Sequence, residues 1–217
     1  LSYAQQRLWF LDQMQPGSAA YTLSMAQHLR GELDTRALCS SLTELTRRHE
    51  ILRSNFPLVE GEPVQRVQPV FEVDLATVDL TGVPASGRDA ELHRLVRAEF
   101  ARPFNLASDR LLRASVYRLD NQSQVLTLAA HHMIADGWSV ALIGRELAAL
   151  YAAAASGAPL PVSGPVTQYA NYAHWQRDAL AGEALTAELS YWSAELRTAP
   201  RVLALPADRA RPPLPSF

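Results

Sequence analysis

A chain of 217 residues, 48% of them hydrophobic, can bury a substantial core, as one large domain or two small ones. Its formal charge of -2, with neither sign concentrated, excludes the basic stripe of a nucleic-acid-binding surface. No apolar run approaches the roughly 18 residues of a bilayer crossing, and no charged-then-apolar leader opens the chain, so a soluble, cytoplasmic protein without membrane contact is expected.

All 20 basic residues are arginine, a side chain suited to fixed bidentate pairing. The single cysteine, Cys39, excludes an intrachain disulfide and fits a reducing compartment. Its neighbours Leu38 and Leu42 suggest that it is small and buried.

In chain order, residues 2–14 read as a helix capped by Ser2 and stopped at Pro16-Gly17-Ser18. Residues 21–30 alternate as a strand. Asp34 caps a helix with Leu38, Leu42 and Leu45 at helical spacing. Residues 51–56, 63–67 and 71–78 look extended, and a loop of Thr, Gly, Val, Pro, Ala and Ser follows at 81–87. A helix is expected over 89–102, then two apolar strands, 112–119 and 124–130, joined by Asp120-Asn121-Gln122. After Gly137 a helix carries Val140, Ile143, Leu147 and Leu150 on one face. A Gly/Pro loop over 156–165 leads to helices at 168–180 and 183–196. The pattern predicts an α+β fold, a mixed β-sheet with helices packed on it. Residues 1–199 form one lobe and 200–217 an extended connector.

The chemistry concentrates at His131-His132-Met133-Ile134-Ala135-Asp136-Gly137, between a strand and a helix. Histidine titrates nearest neutrality and can accept or relay a proton. Helix N-terminal amides face developing negative charge, and Gly137 would permit unusual backbone angles and close approach. Asp136, read as buried among Ala135 and Trp138, would need a cation and hence shape the loop. Three readings fit these residues: acyl-transfer chemistry, two unrelated histidines, or a metal held with Asp136. Against the metal, adjacent strand side chains diverge, and no second cluster supplies ligands. His28, His49, His93 and His174 read as structural; Trp9, Trp175 and Trp192 read as core, and packing is also expected of Trp138.

The motif continues through Trp138-Ser139 and resembles the core motif of condensation domains of nonribosomal peptide synthetases. The run from Leu1-Ser2-Tyr3-Ala4-Gln5-Gln6-Arg7 to Leu11 is similar to that family's first motif, and Arg48-His49-Glu50-Ile51-Leu52-Arg53 to its second. Tyr169-Ala170-Asn171-Tyr172-Ala173-His174-Trp175 resembles its fourth, with Asn171 where Asp is more usual, and Leu205 to Pro212 resembles the segment that follows. The resemblance implies one lobe of a chloramphenicol acetyltransferase-like fold, with the C-terminal lobe absent. It implies peptide-bond formation between thioesters carried on the phosphopantetheine of donor and acceptor carrier proteins. The lobe itself would bind no cofactor and no metal, and adjacent synthetase domains would be its other partners.

Carried over by position, His132 is the catalytic histidine, His131 its support, and Gly137 the glycine whose amide lies near the reacting centre. Asp136 would form a structural ion pair with Arg53, or alternatively with Arg48. The pattern is closest to the subtype joining an L-donor to an L-acceptor. Heterocyclisation domains carry Asp where His131 stands, and the glycine at 137 disfavours epimerisation. A coenzyme A-dependent relative, a donor-modifying variant, and a non-catalytic recruitment module remain alternatives, although such modules usually lose the second histidine. Family members are about twice as long, so the isolated chain is expected to be inactive.

Overall fold

The computed structural model describes residues 1–161, 167–202, 205, 206 and 208–210. Its elements are α1 (Tyr3–Met14), β1 (Thr22–Arg30), α2 (Thr35–Arg48), a 3-10 turn (Glu50–Arg53), the two-residue strands β2 (Ser54–Asn55), β3 (Leu58–Val59), β4 (Glu62–Pro63) and β5 (Arg66–Val67), then β6 (Leu75–Asp79) and α3 (Ala85–Ala101). They continue as β7 (Leu112–Asp120), β8 (Ser123–His131), α4 (Gly137–Ser156), α5 (Tyr169–Ala179) and α6 (Gly182–Leu196). A mixed sheet runs in the order β1-β8-β7-β6, antiparallel except for β6 against β7. β2 pairs with β5 and β3 with β4 outside it.

Alternation along the strands assigns the two faces of the sheet. Leu126 and Leu128 of β8 share a face with Val116 and Ala114 of β7, in one core with Leu38, Leu42 and Leu45 of α2 and Ile143, Leu147 and Leu150 of α4. On the opposite face Val125, Tyr117 and Leu119 meet Leu92, Leu95 and Val96 of α3. Covered on both sides, β8 is buried from Gln124 to His131, which explains its nearly unbroken apolar sequence. Residues 131–137 thus leave the best-anchored strand of the sheet.

Several expectations are corrected. The stretch 51–56 is a 3-10 turn followed by β2, a shape that lets Leu52 and Phe56, four residues apart, both enter the core. The helix expected from residue 89 begins at Ala85: Pro84 is tolerated at a helix start, and Gly87 lies in the first turn. Cys39 is half-buried, its thiol donating to the Val73 carbonyl at 3.0 Å. Trp9 packs against the core, but Trp175 and Trp192 are 63% and 54% exposed, because α6 buries no residue and α5 buries only Ala173. Of the expected loop and connector, 162–166, 203, 204, 207 and 211–217 lie outside the described residues. Among the described residues no helix is long and apolar enough to cross a membrane.

Candidate active site

β1 and β8 pair with Thr22 opposite His131, and the ladder continues one step further as the His132 N–H donates to the Tyr21 carbonyl at 2.8 Å. The chain then turns: the Ile134 N–H reaches the His131 carbonyl at 3.0 Å, and the Met133 N–H donates to Nδ1 of His131 at 3.1 Å. Met133, Ile134 and Ala135 are buried and pin the turn to the core. This places the two adjacent imidazoles in unlike surroundings, as successive strand side chains must be.

His131 is 3% exposed, between the rings of Tyr21 and Phe104 at 6.4 and 6.1 Å. Burial, with a smaller contribution from the His132 charge, pushes its pKa down to about 4. Accepting from Met133 leaves the proton of the neutral ring on Nε2. His131 is therefore a neutral support for the turn. His132 is half-buried, and its side chain makes no hydrogen bond among the described residues.

Asp136 is the N-cap of α4, where its Oδ1 accepts from the Ser139 N–H at 2.8 Å and the Ser139 hydroxyl at 2.6 Å. Those bonds to Ser139, and further the charge of His132, hold its carboxyl below the usual carboxylate range. The expected ion pair is not formed. Asp136 is exposed, so its charge needs no buried cation, and its lone pairs are turned to the helix start. Arg53 instead donates to the Gln68 carbonyl and lies 3.6 Å from Glu50, with its Nε unpartnered. Arg48 bonds Glu44 at 2.7 Å and Glu146 at 3.2 Å.

Gly137 is the first residue of α4 and has no positive φ, so conformational freedom is not its reason. A Cβ there would meet nothing within 4 Å, and its N–H has no partner among the described residues. Trp138 beside it is 82% exposed, not packed. Among the described residues no three His, Cys, Asp or Glu side chains are grouped to hold a metal, and His131 faces inward.

The loop is held by residues that sequence reasoning left unassigned. Buried Gln5 completes a capping box with Ser2 and donates to the Met133 carbonyl at 3.1 Å, tying α1 to the histidine turn. The Ser2 hydroxyl meets that of Tyr169 at 3.0 Å, and Arg177 donates to the Leu1 carbonyl and to Gln6, joining α5 to α1. Glu146 receives both Arg48 and His49, the latter at 2.6 Å, and fixes α4 to the end of α2. Gln168 bridges the Arg48 carbonyl and the Glu50 N–H. The spaced motifs at 1–11, 48–56 and 169–175 are therefore one hydrogen-bonded frame around residues 131–137. Gln5 was legible as a polar residue on the buried face of its helix; Glu146 and Gln168 carry no local mark, since their partners lie about a hundred residues away.

The arrangement offers an accessible imidazole and a free helix-start amide on one rigid turn, the equipment for moving a proton and stabilising developing oxyanion charge.

Comparison with known proteins identifies the family. The family model described as condensation domain matches residues 1–217. One of the linear gramicidin synthase proteins of Brevibacillus parabrevis is 42% identical over 212 residues, covering 98% of this chain and 3% of that protein. Phosphinothricin tripeptide synthetase PhsC of Streptomyces viridochromogenes is 42% identical over 217 residues, covering 98% and 20%. Among solved structures, the X-domain from teicoplanin biosynthesis aligns with a TM-score of 0.85 at 29% identity, covering 99% of this chain and 47% of that one. The first condensation domain of the calcium-dependent antibiotic synthetase, in complex with a substrate analogue, aligns at 0.80 and 25%, covering 92% and 47%. The chain thus spans a few per cent of the gramicidin synthase protein and about half of the solved domains, whose chloramphenicol acetyltransferase-like fold it shares. It belongs to the condensation-domain family of nonribosomal peptide synthetases.

Proposed function

We propose that this chain is the histidine-bearing N-terminal lobe, with connector 200–217, of a domain that transfers a donor acyl group from one carrier protein to the amine of an aminoacyl thioester on another. Both substrates arrive on phosphopantetheine arms in the cytoplasm, the lobe adds no cofactor of its own, and the second lobe completes the cleft. The observation that carries the reading is His132: its imidazole makes no hydrogen bond among the described residues, while the turn that bears it is tied to α1, to His131 and to the Tyr21 carbonyl.

The amine nitrogen attacks the thioester carbonyl carbon, the tetrahedral intermediate collapses with cleavage of the C–S bond, and the ammonium proton ends on the departing sulfur. Even a free α-amine titrates near roughly 7.7–8.0, and that of an aminoacyl thioester is less basic, so much of it is already neutral at cellular pH. His132 then acts chiefly by orienting the amine and relaying its proton. The Gly137 N–H faces the oxyanion, His131 fixes the turn, and Asp136 fixes the helix start. Removing a positioned proton-transfer group typically costs about 10²–10⁴-fold. Single-turnover transfer between loaded carriers by the two-lobed parent should fall by that factor in His132→Ala. An unchanged rate refutes the assignment.

A second reading has one observation in its favour: the X-domain likeness, that domain having also been solved in complex with OxyB. A recruitment surface needs no free imidazole at a helix start, so transfer is the reading preferred.

A further inference from the structure

His132 ends a strand, whereas the Gly137 N–H begins a helix, so their separation depends on how α4 is held. Asp136, Gly137 and Trp138 are exposed, and no packing fixes the helix start itself. The Asp136 carboxylate caps α4 from within, on Ser139. Further along, Ile143, Leu147 and Leu150 lie in one core with Leu38, Leu42 and Leu45 of α2. Apolar contacts are non-directional and hold a helix poorly along its own axis.

Among the described residues, the side-chain tie to another element nearest the start of α4 is Glu146; Tyr151, further on, accepts from the Asp34 N–H at 3.1 Å. Glu146 is largely buried and spends both oxygens: Oε1 accepts from Arg48 at 3.2 Å, and Oε2 lies 2.6 Å from Nε2 of His49. A carboxylate only accepts, so His49 carries a proton on Nε2. Arg48 also donates to Glu44 at 2.7 Å and to the Pro161 carbonyl at 2.6 Å. Buried ion pairs contribute little net stability, because desolvation offsets their attraction. What such directional, charge-assisted bonds supply is position.

We infer that Glu146 is a positioning residue for the transfer proposed above, on which this inference rests. Nine helical residues, roughly 13.5 Å, separate it from Gly137. A helix of that length moves as a rigid rod, so the clamp on Arg48 and His49 sets where the Gly137 N–H stands relative to the His132 imidazole. Misplacing a reacting group by about 1 Å can cost about 10²-fold in rate.

The test uses the two-lobed parent domain and single-turnover transfer over a range of loaded acceptor carrier. Glu146→Gln keeps the size of the side chain but turns an NH₂ towards one of its two donors. It should lower the maximal rate at least tenfold and leave the half-saturating carrier concentration within about twofold. His49→Gln keeps an N–H donor and should stay within about threefold of native, whereas His49→Ala should fall with Glu146→Gln; His49→Ala carries the test if Glu146→Gln does not fold. Residues that act as a unit are strongly non-additive, so in a His132→Ala background Glu146→Gln should cost less than about threefold. An equal factor in both backgrounds, or a loss confined to carrier affinity, overturns the inference. Nuclear magnetic resonance of glycine- and histidine-labelled domain reads placement without turnover: Glu146→Gln should shift the Gly137 amide and the His132 ring. Shifted resonances in a domain whose native form transfers nothing would keep the placement and remove the condensation reading. Unshifted resonances with native transfer intact would do the reverse.

Discussion

Protonating His131 brings a charge into a pocket bounded by Tyr21 and Phe104 and removes the acceptor of the Met133 N–H. Its pKa falls from 6.5 unfolded to about 4 folded, so the unfolded chain binds the proton first. Stability is therefore full above about pH 6.5 and declines as pH falls towards 4, by roughly 2–3 kcal/mol at about 1.4 kcal/mol per unit. Urea unfolding of the chain at pH 7 and pH 4.5 checks this. His131→Asn keeps a carbonyl acceptor but does not titrate, and it should flatten the difference; an equal slope in the variant would locate the acid sensitivity elsewhere. Asp136 gives a second residue-scale test. As an exposed helix cap it should cost about 1 kcal/mol when replaced by Ala, whereas breaking a buried ion pair would cost about 3–5 kcal/mol. Additivity of Asp136→Ala with Arg53→Ala in a double-mutant cycle would agree with their separation; coupling above about 0.5 kcal/mol would contradict it.

The elements show what a sequence reveals about a site and what it hides. Residues 131–137 were legible because a strand, a histidine pair and a helix start are local features. The pairing of Asp136 with Arg53 was misjudged because burial is not local: four residues past His132, the chain has already turned outward to begin α4. Periodicity found α2 and α4, whose apolar faces are covered, but could not say that Tyr172 and Trp175 of α5 and Tyr191 and Trp192 of α6 lack a cover. The 3-10 turn at Glu50–Arg53 escaped because its apolar residues serve two distant contacts rather than a regular face. In β8, buried Gln124 opposes stability, since its Oε1 has no hydrogen-bond partner among the described residues. Replacing an unsatisfied buried polar group by an apolar one of similar shape removes a penalty of about 1–3 kcal/mol, so Gln124→Leu should raise the unfolding free energy of the isolated chain by about 1 kcal/mol. A loss of stability on denaturant unfolding would mean that its oxygen is paired.

At the scale of the whole molecule, stability is unevenly spread. β8 is enclosed by α2 and α4 on one side and by α3 on the other, whereas α6 buries nothing and leaves Leu189, Tyr191, Trp192 and Leu196 exposed. Amide exchange in the isolated chain should accordingly release α6 many times faster than β8, since protection follows burial. Comparable protection would show that α6 is covered, for example by a second copy. The solved relatives extend to about twice this chain, so the proposed catalysis belongs to the two-lobed parent. Intact-mass analysis of the acceptor carrier tests most directly the proposed peptide-bond formation assisted by His132. With both carriers loaded, the native domain should move the donor acyl mass onto the acceptor, and His132→Ala should leave the acceptor almost unchanged. Equal product from both, or none from the native domain with an authentic pair, would contradict the account.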